Sequence, residues 1–335
     1  MPPIGAAAQF ALQRRIWDGS LPLEIRLAAA DCTTYDKSDP YMICHPRLAY
    51  LPPLLPRIHA FFRPFLINPD TPPHDAWLSF EGLPLKWHYP LGLLYDLFSG
   101  ANPAGLDSQS TSTSTLTAGP TTTDSSTPLP WRLTIHYTSH PTELLFPLDP
   151  TFRVLQDAYI NSVKEADFIR NGSAKTVMSL SKQDATSLWR AVETHDVALF
   201  NSVNTKLLNP PGQSLKNVPI KIYLPTSSVH PDAPRVEGEE KEKEGKEEED
   251  TAQVQAGSVR VVQGLVPPAM TRQTTTLGMA LNELLPTVFP SRRNPVIAAP
   301  VLHGAMVPMG AGLEDLSRAA AYADGFLHVV VVLLS

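Results

Sequence analysis

An α+β fold, with two sheet-and-helix units flanking a helix-rich block, is what this 335-residue chain predicts. Three observations carry the prediction. The order strand, strand, helix, strands, short helix, strand occurs before residue 140 and returns after residue 217. Between the two occurrences, residues 149–209 show helical spacing of apolar residues. Each flanking unit is interrupted by one stretch with almost no apolar residue, 101–127 and 227–257, and both inserts read as disordered. A sheet covered on one face by a helix, in roughly 80 ordered residues, is the layout of a ubiquitin-like β-grasp module, although other two-layer folds share that order.

The elements follow in chain order. Residues 1–18 hold a short helix over 6–16. The first unit, 19–140, opens with Leu23, Ile25 and Leu27 alternating with polar residues as a half-buried strand does, and 41–44 supplies a partner strand. A helix is expected over 54–66, interrupted by Pro52, Pro53 and Pro56 near its start. Strands follow over 76–80 and 83–88, then a helix over 92–98 and a strand over 133–137. The second unit, 217–335, repeats this as strands over 220–224 and 259–265, a helix over 276–285, a strand over 296–302, a helix over 313–322 and a strand over 326–334. That last run is the most apolar of the chain, but nine residues are too few for a membrane helix, which needs about 20. Its valines favour a buried strand.

The middle block reads as three helices. For the first, Asp149 is placed as cap with Pro150 at the first helical position, and Asn171 with Gly172 as the stop. Its apolar stripe is Phe152, Leu155, Tyr159, Val163, Ala166 and Ile169. Ser181 three residues before Asp184 marks the start of a second helix carrying Leu188, Trp189 and Val192. A third carries Val197, Phe200, Val203 and Leu207 and stops at Asn209, Pro210, Pro211 and Gly212.

Charge narrows the function classes. The formal net charge is −6, and residues 237–250 hold nine acidic and three basic residues, so the rest of the chain is close to neutral. A near-neutral body has no basic footprint for nucleic acid and no polybasic patch for anionic lipid. Two cysteines, Cys32 and Cys44, build neither a disulfide framework nor a cysteine-rich zinc site, and point to a reducing compartment, the cytoplasm. No secretory leader is read at the N-terminus.

No phosphate-binding glycine loop, nucleophile elbow or zinc-ligand spacing is present in the sequence, so no cofactor, metal or catalytic residue is assigned. Cys44 stands next to His45, but neighbours on a strand point to opposite faces and do not readily share a proton. His88 and His136 lie in apolar strand-like runs and default to structural roles. Lys164 is the residue singled out. It falls roughly 160° from the centre of the stripe on its helix, so its amine is expected to face solvent, as an acylated amine must; most lysines so placed only solvate a helix. Glu165 and Asp167 beside it either guide a docking enzyme or solvate the surface.

Several separate stretches resemble the autophagy protein 5 family. The most distinctive is EGLPLKWHYPLGLLYDL at 81–97, joined by IWDG at 16–19, LPWRLTIHY at 129–137, VKEAD at 163–167, VPIKIY at 218–223, LHG at 302–304 and YADGFLHVV at 322–330. The resemblance spans nearly the whole chain; the two long inserts and the prolines at 52, 53 and 56 depart from it. It implies a fold of two ubiquitin-like domains around a helix-rich domain. It also implies that Lys164 receives the C-terminal glycine of the ubiquitin-like autophagy protein 12 through an isopeptide bond, made by an autophagy protein 10-type conjugating enzyme. The conjugate is then expected to bind a short helix of autophagy protein 16. In that state it acts like a ligase in transferring autophagy protein 8 to phosphatidylethanolamine, in the cytoplasm and peripherally on the preautophagosomal membrane. Two other readings stand beside it: an enzyme carrying a thioester on Cys32 or Cys44, and an interaction module that is never modified.

Overall fold

A computed structural model describes residues 5–33, 38–98, 129–208, 215–225, 259–270 and 273–334. Both expected disordered inserts, 101–127 and 227–257, lie outside the described residues.

Helix α1 (Ala6–Trp17) leads into strand β1 (Ser20–Leu27), which pairs with β2 (Tyr41–Pro46). Helix α2 (Leu55–Phe62) follows a 3₁₀ turn over Pro52–Leu54. The prolines therefore do not interrupt this helix. They occupy the turn and the first turn of α2, where the missing N–H has no helical partner to lose. Next come β3 (Trp77–Phe80), β4 (Leu83–Pro84), α3 (Leu91–Phe98) and β5 (Trp131–His136). The expected strand over 83–88 is only two residues long: Leu85 N–H still bonds Leu78 C=O, but the chain then turns, with Tyr89 N–H on Lys86 C=O, to enter α3.

The middle block holds α4 (Arg153–Asn171), a four-residue helix α5 (Lys175–Met178) that the periodicity did not announce, α6 (Lys182–Glu193) and α7 (Val197–Leu208). Helix α4 starts three residues later than the sequence suggests. Asp149 does cap, but its carboxylate accepts from Thr151 and Val154 N–H across a turn in which Phe152 takes a left-handed φ of 53°. Gly172, at φ 73°, ends α4 as expected.

The last unit comprises β6 (Ile220–Pro225), β7 (Val259–Gln263), a small hairpin of β8 (Ala269–Met270) and β9 (Gln273–Thr274), α8 (Leu277–Leu284), β10 (Ala298–Leu302), β11 (Ala305–Met306), α9 (Leu313–Ala320) and β12 (Leu327–Leu333).

The two large sheets run β2-β1-β5-β3-β4 and β11-β10-β12-β6-β7. Counted within its own unit, each places its strands in the order second, first, fifth, third, fourth, with the first and last strands parallel and the remaining pairs antiparallel. The repeated element order is thus a repeated topology. The likeness reaches single residues: β3 and β4 are joined by Glu81–Gly82 at φ 48° and 81°, and β10 and β11 by His303–Gly304 at φ 53° and 78°. Both are two-residue turns with positive φ at both positions, the geometry that suits the right-handed twist of an antiparallel ribbon.

One apolar core fills the first unit, where Leu55, Ile58 and Phe62 of α2 meet Leu23, Ile25, Leu133 and Ile135. A second, larger core crosses unit boundaries: Trp17, Tyr50, Trp87 and Leu93 join the middle helices and the second sheet. β12, the run considered for a membrane segment, is largely buried within it. Among the described residues no helix is long and apolar enough to cross a membrane. Arg47 reinforces the junction: its guanidinium bonds the Asp96 carboxylate at 2.5 Å, and the other Asp96 oxygen accepts from Gly304 N–H at 2.8 Å. Gly92 and Gly304 make room for it, since a Cβ on either would lie about 3 Å from Arg47 atoms.

Candidate functional site

Lys164 projects from α4, a helix held firmly along its other side. Leu155, Tyr159, Val163, Ala166 and Ile169 are buried as the stripe requires. Polar contacts then pin the helix to the second unit: Tyr159 Oη donates to Ala323 C=O at 3.0 Å, Ser162 Oγ to Asp324 at 2.7 Å, and Arg170 to Gly325 C=O at 3.1 Å. Burial lowers the Arg170 guanidinium to about 10, against the pull of nearby Asp167 and Asp324. A side chain on such a helix is displayed from a rigid mount. Lys164 itself is half-buried rather than fully exposed. Among the described residues, no ion pair or hydrogen bond engages its ammonium.

The two acids beside it each have partners within the fold. Asp167 is buried and accepts from Asn171 Nδ2 at 2.6 Å and from Val177 N–H at 3.0 Å, which fixes the start of α5 to the end of α4. Glu165 reaches the second sheet, binding Lys221 Nζ at 2.8 Å and Gln263 Nε2 at 3.2 Å. Periodicity could not foresee this, because both partners lie outside the helix.

Around the corner of α4 opens a cleft of about 450 Å³, where all three blocks meet. Its helical wall is Ala158, Asn161, Ser162 and Glu165; β7 supplies Val261 and Gln263, and the first unit supplies Tyr50, His88 and Tyr89. Its floor is a buried polar chain: Tyr223 Oη to His328 Nδ1 at 2.8 Å, and His328 Nε2 to Asp324 Oδ2 at 2.9 Å. Burial pushes the Asp324 carboxyl up, but His328 and the hydrogen bonds from Ser162 and Phe326 N–H outweigh it and hold the carboxyl below its usual range. Tyr223, Asp324 and His328 were not anticipated; strands and loops distant in the chain bring them together.

The remaining candidates fall apart as a site. Cys44 is exposed on β2, and Cys32 pairs its backbone with Leu66. His45 directs Nε2 to Tyr50 C=O at 3.2 Å. His136 is structural, stacked on Trp77 at 4.0 Å with Nε2 on Ser79 Oγ. His88 lies in a turn, not a strand, and lines the cleft mouth. Among the described residues no group of three or more His, Cys, Asp or Glu side chains could hold a metal ion.

Three family models match in succession: Autophagy protein ATG5, UblA domain, over residues 16–137; alpha-helical bundle region, over 153–210; and UblB domain, over 217–331. The chain belongs to the autophagy protein 5 family. Autophagy protein 5 of Phaeosphaeria nodorum is 51% identical over 325 residues, covering 96% of this chain and 97% of that protein. Its Aspergillus fumigatus namesake is 47% identical over 337 residues, covering 96% and 94%. The crystal structure of Kluyveromyces marxianus Atg5 shares the fold at a TM-score of 0.66 and 21% identity, over 96% of this chain and 98% of that one. The stretches that carried the resemblance have physical reasons here. Motif 81–97 begins with the Glu81–Gly82 turn and contains Trp87, Leu91, Leu93 and Leu94, all buried, while LHG holds the matching His303–Gly304 turn.

Proposed function

We propose that this autophagy protein 5 family member is a conjugated scaffold whose Lys164 accepts the C-terminal glycine of the ubiquitin-like autophagy protein 12. The observation that carries the reading is the family segment VKEAD at 163–167, set on a helix anchored from its far side, with the lysine outside the ion pairs that engage its neighbours. The tail arrives as a thioester on an autophagy protein 10-type conjugating enzyme. Lys164 Nζ, as free base, attacks the carbonyl carbon; the C–N bond forms, the C–S bond breaks, the enzyme's cysteine leaves as thiolate, and the amine's proton passes to a base or water. An ammonium has no lone pair with which to attack, so the enzyme must position the amine and take up its proton. The conjugate then binds a short helix of autophagy protein 16 and promotes transfer of autophagy protein 8 to phosphatidylethanolamine. It works in the cytoplasm and peripherally on the preautophagosomal membrane, as the non-catalytic part of a ligase-like complex, with no nucleic-acid partner.

Reconstitution with activating enzyme, conjugating enzyme, modifier and ATP tests the reading. Wild-type chain gives a heavier band that survives thiol reductant, and Lys164→Arg gives none while folding and binding the partner helix normally, because a guanidinium stays protonated and offers no free base. A reductant-sensitive band would favour a thioester on Cys32 or Cys44, and a resistant band from the Arg variant would displace Lys164.

A further inference from the structure

We infer that the free edge of β2, with the groove between it and α2, receives an extended segment of a partner protein as an added strand, one with apolar residues in its middle and a carboxylate beside Arg57. β2 borders the first sheet and pairs with β1 alone. Arg47 N–H bonds Gly19 C=O, and from there the antiparallel register alternates. Tyr41, Ile43 and His45 therefore face β1, while the N–H and C=O groups of Met42 and Cys44 point outward. Exposed edges are commonly blunted by charge or by shortness. Among the other edge strands of the two large sheets, β4 and β11 are two residues long and β7 carries Arg260. Between Pro40 and Pro46, β2 reads Tyr-Met-Ile-Cys-His, with no acid, lysine or arginine. Its edge is long enough to pair and is left unguarded.

Beside that edge the apolar floor stays open. Register puts Ile43 and Tyr41 on the same face as Leu23 and Ile25, which are 0% exposed under α2, yet the edge pair is only half-buried. Phe61 of α2 stands at this margin, its ring 5.2 Å from that of Tyr41 and 38% exposed. An added strand would lay every second side chain against Tyr41, Ile43 and Phe61, and the others beside Met42, 56% exposed on the opposite face. Charge then selects the occupant. Arg57, one turn before Phe61, is exposed with its guanidinium carbon 6.0 Å from the Tyr41 ring centre. Among the described residues no carboxylate pairs with it. A cation at that end of the groove favours a strand bearing a carboxylate there. A second copy pairing through its own β2 would bring none from between Pro40 and Pro46. A helix, whose backbone groups are already paired, would leave the edge unsatisfied. Lys164 lies on α4, so the inference stands or falls independently of the conjugation reading.

The test is fluorescence anisotropy with the full chain and a labelled, C-terminally amidated peptide, Asp-Val-Ile-Val-Ile-Asp, whose acid at either end serves either strand direction. Wild type is expected to bind it saturably. The same peptide N-methylated throughout cannot pair with an edge and should bind at least about tenfold more weakly. Cys44→Pro removes an N–H that the β1 ladder does not use, and it should weaken binding by a similar factor, whereas Cys44→Ser binds as wild type does. Arg57→Glu should lose about tenfold for the acidic peptide and gain for Lys-Val-Ile-Val-Ile-Lys. Thermal melts accompany every variant, and if Cys44→Pro melts early the N-methylated peptide decides. Absence of saturable binding, or equal binding of the N-methylated peptide, overturns the added strand. An Arg57→Glu variant with unchanged preference overturns the carboxylate. Sedimentation that shows a wild-type dimer abolished by Cys44→Pro would give the edge to a second copy and overturn the partner segment.

Discussion

Arg47 shows how one side chain decides the relation between two units that each could build a sheet alone. Its guanidinium is 13% exposed and Asp96 is 1% exposed, so the pair is nearly dry. Burial pushes the Asp96 carboxyl up, and only Arg47 and the Gly304 N–H oppose that. Truncating Arg47 leaves a buried carboxylate facing one amide, which costs much more than the pair itself contributes, about 3 to 5 kcal/mol. Arg47→Ala is therefore expected to lower unfolding stability by that amount in urea melts, and a loss below 1 kcal/mol would show that water replaces the guanidinium. A gentler test concerns Glu81. It is exposed and holds φ at 48° in a turn position where asparagine is at ease and most residues are not. Glu81→Asn should raise stability by about 0.5 kcal/mol; an unchanged melt would mean the surrounding hairpin already absorbs the strain.

At the level of elements, what could be read from sequence was what local chemistry dictates. Ser181 accepts from Asp184 N–H at 3.0 Å and opens α6 at the position its spacing indicated, and Thr276 does the same for α8. Removing such a cap costs about 1 kcal/mol, so Ser181→Ala should shift the melting transition by a few degrees or less without altering fold. A wild-type transition would mean that packing of Leu188, Trp189 and Val192 alone secures the helix. Misreadings arose where tertiary contacts override local signals. Asp149 and Pro150 look like a helix start, yet the left-handed Phe152 delays it. The run after Pro84 has strand-like composition, yet β4 stops because the chain must turn toward α3. Of the candidate site, Lys164 and its helix face were legible from the 3.6-residue period. The partners of Glu165 (Lys221 and Gln263) and the whole cleft were not, since they lie on segments that only folding brings near.

For the whole molecule, the larger core and the Arg47 pair tie three blocks into one body, and the ionisable groups caught at its junctions should make its stability depend on pH. His303 is the clearest case. It occupies the β10–β11 turn, its Nε2 hydrogen-bonds Ala320 C=O at 2.9 Å, its ring stacks on Tyr322 at 4.2 Å, and its Nδ1 is cut off from water with no partner. Burial, with lesser opposition from the Ala320 bond and a further push from Arg47, lowers its pKa to about 3. In the unfolded chain the same ring titrates near 6.5. Between these values the unfolded chain holds a proton that the folded chain refuses, so stability is full above pH 6.5 and falls as pH drops toward 3. At pH 5 the loss from this one residue approaches about 2 kcal/mol. Asp324, whose carboxyl is held low, contributes its own loss only below about pH 3.8 and so does not confuse this window. His303→Asn tolerates the left-handed φ and keeps an N–H for Ala320, but it cannot titrate. It should be less stable than wild type at pH 7 for want of the Tyr322 stack, yet lose less between pH 7 and pH 5. Urea melts at the two pH values measure the difference directly, and equal losses in both proteins would show that His303 does not stay neutral in the fold.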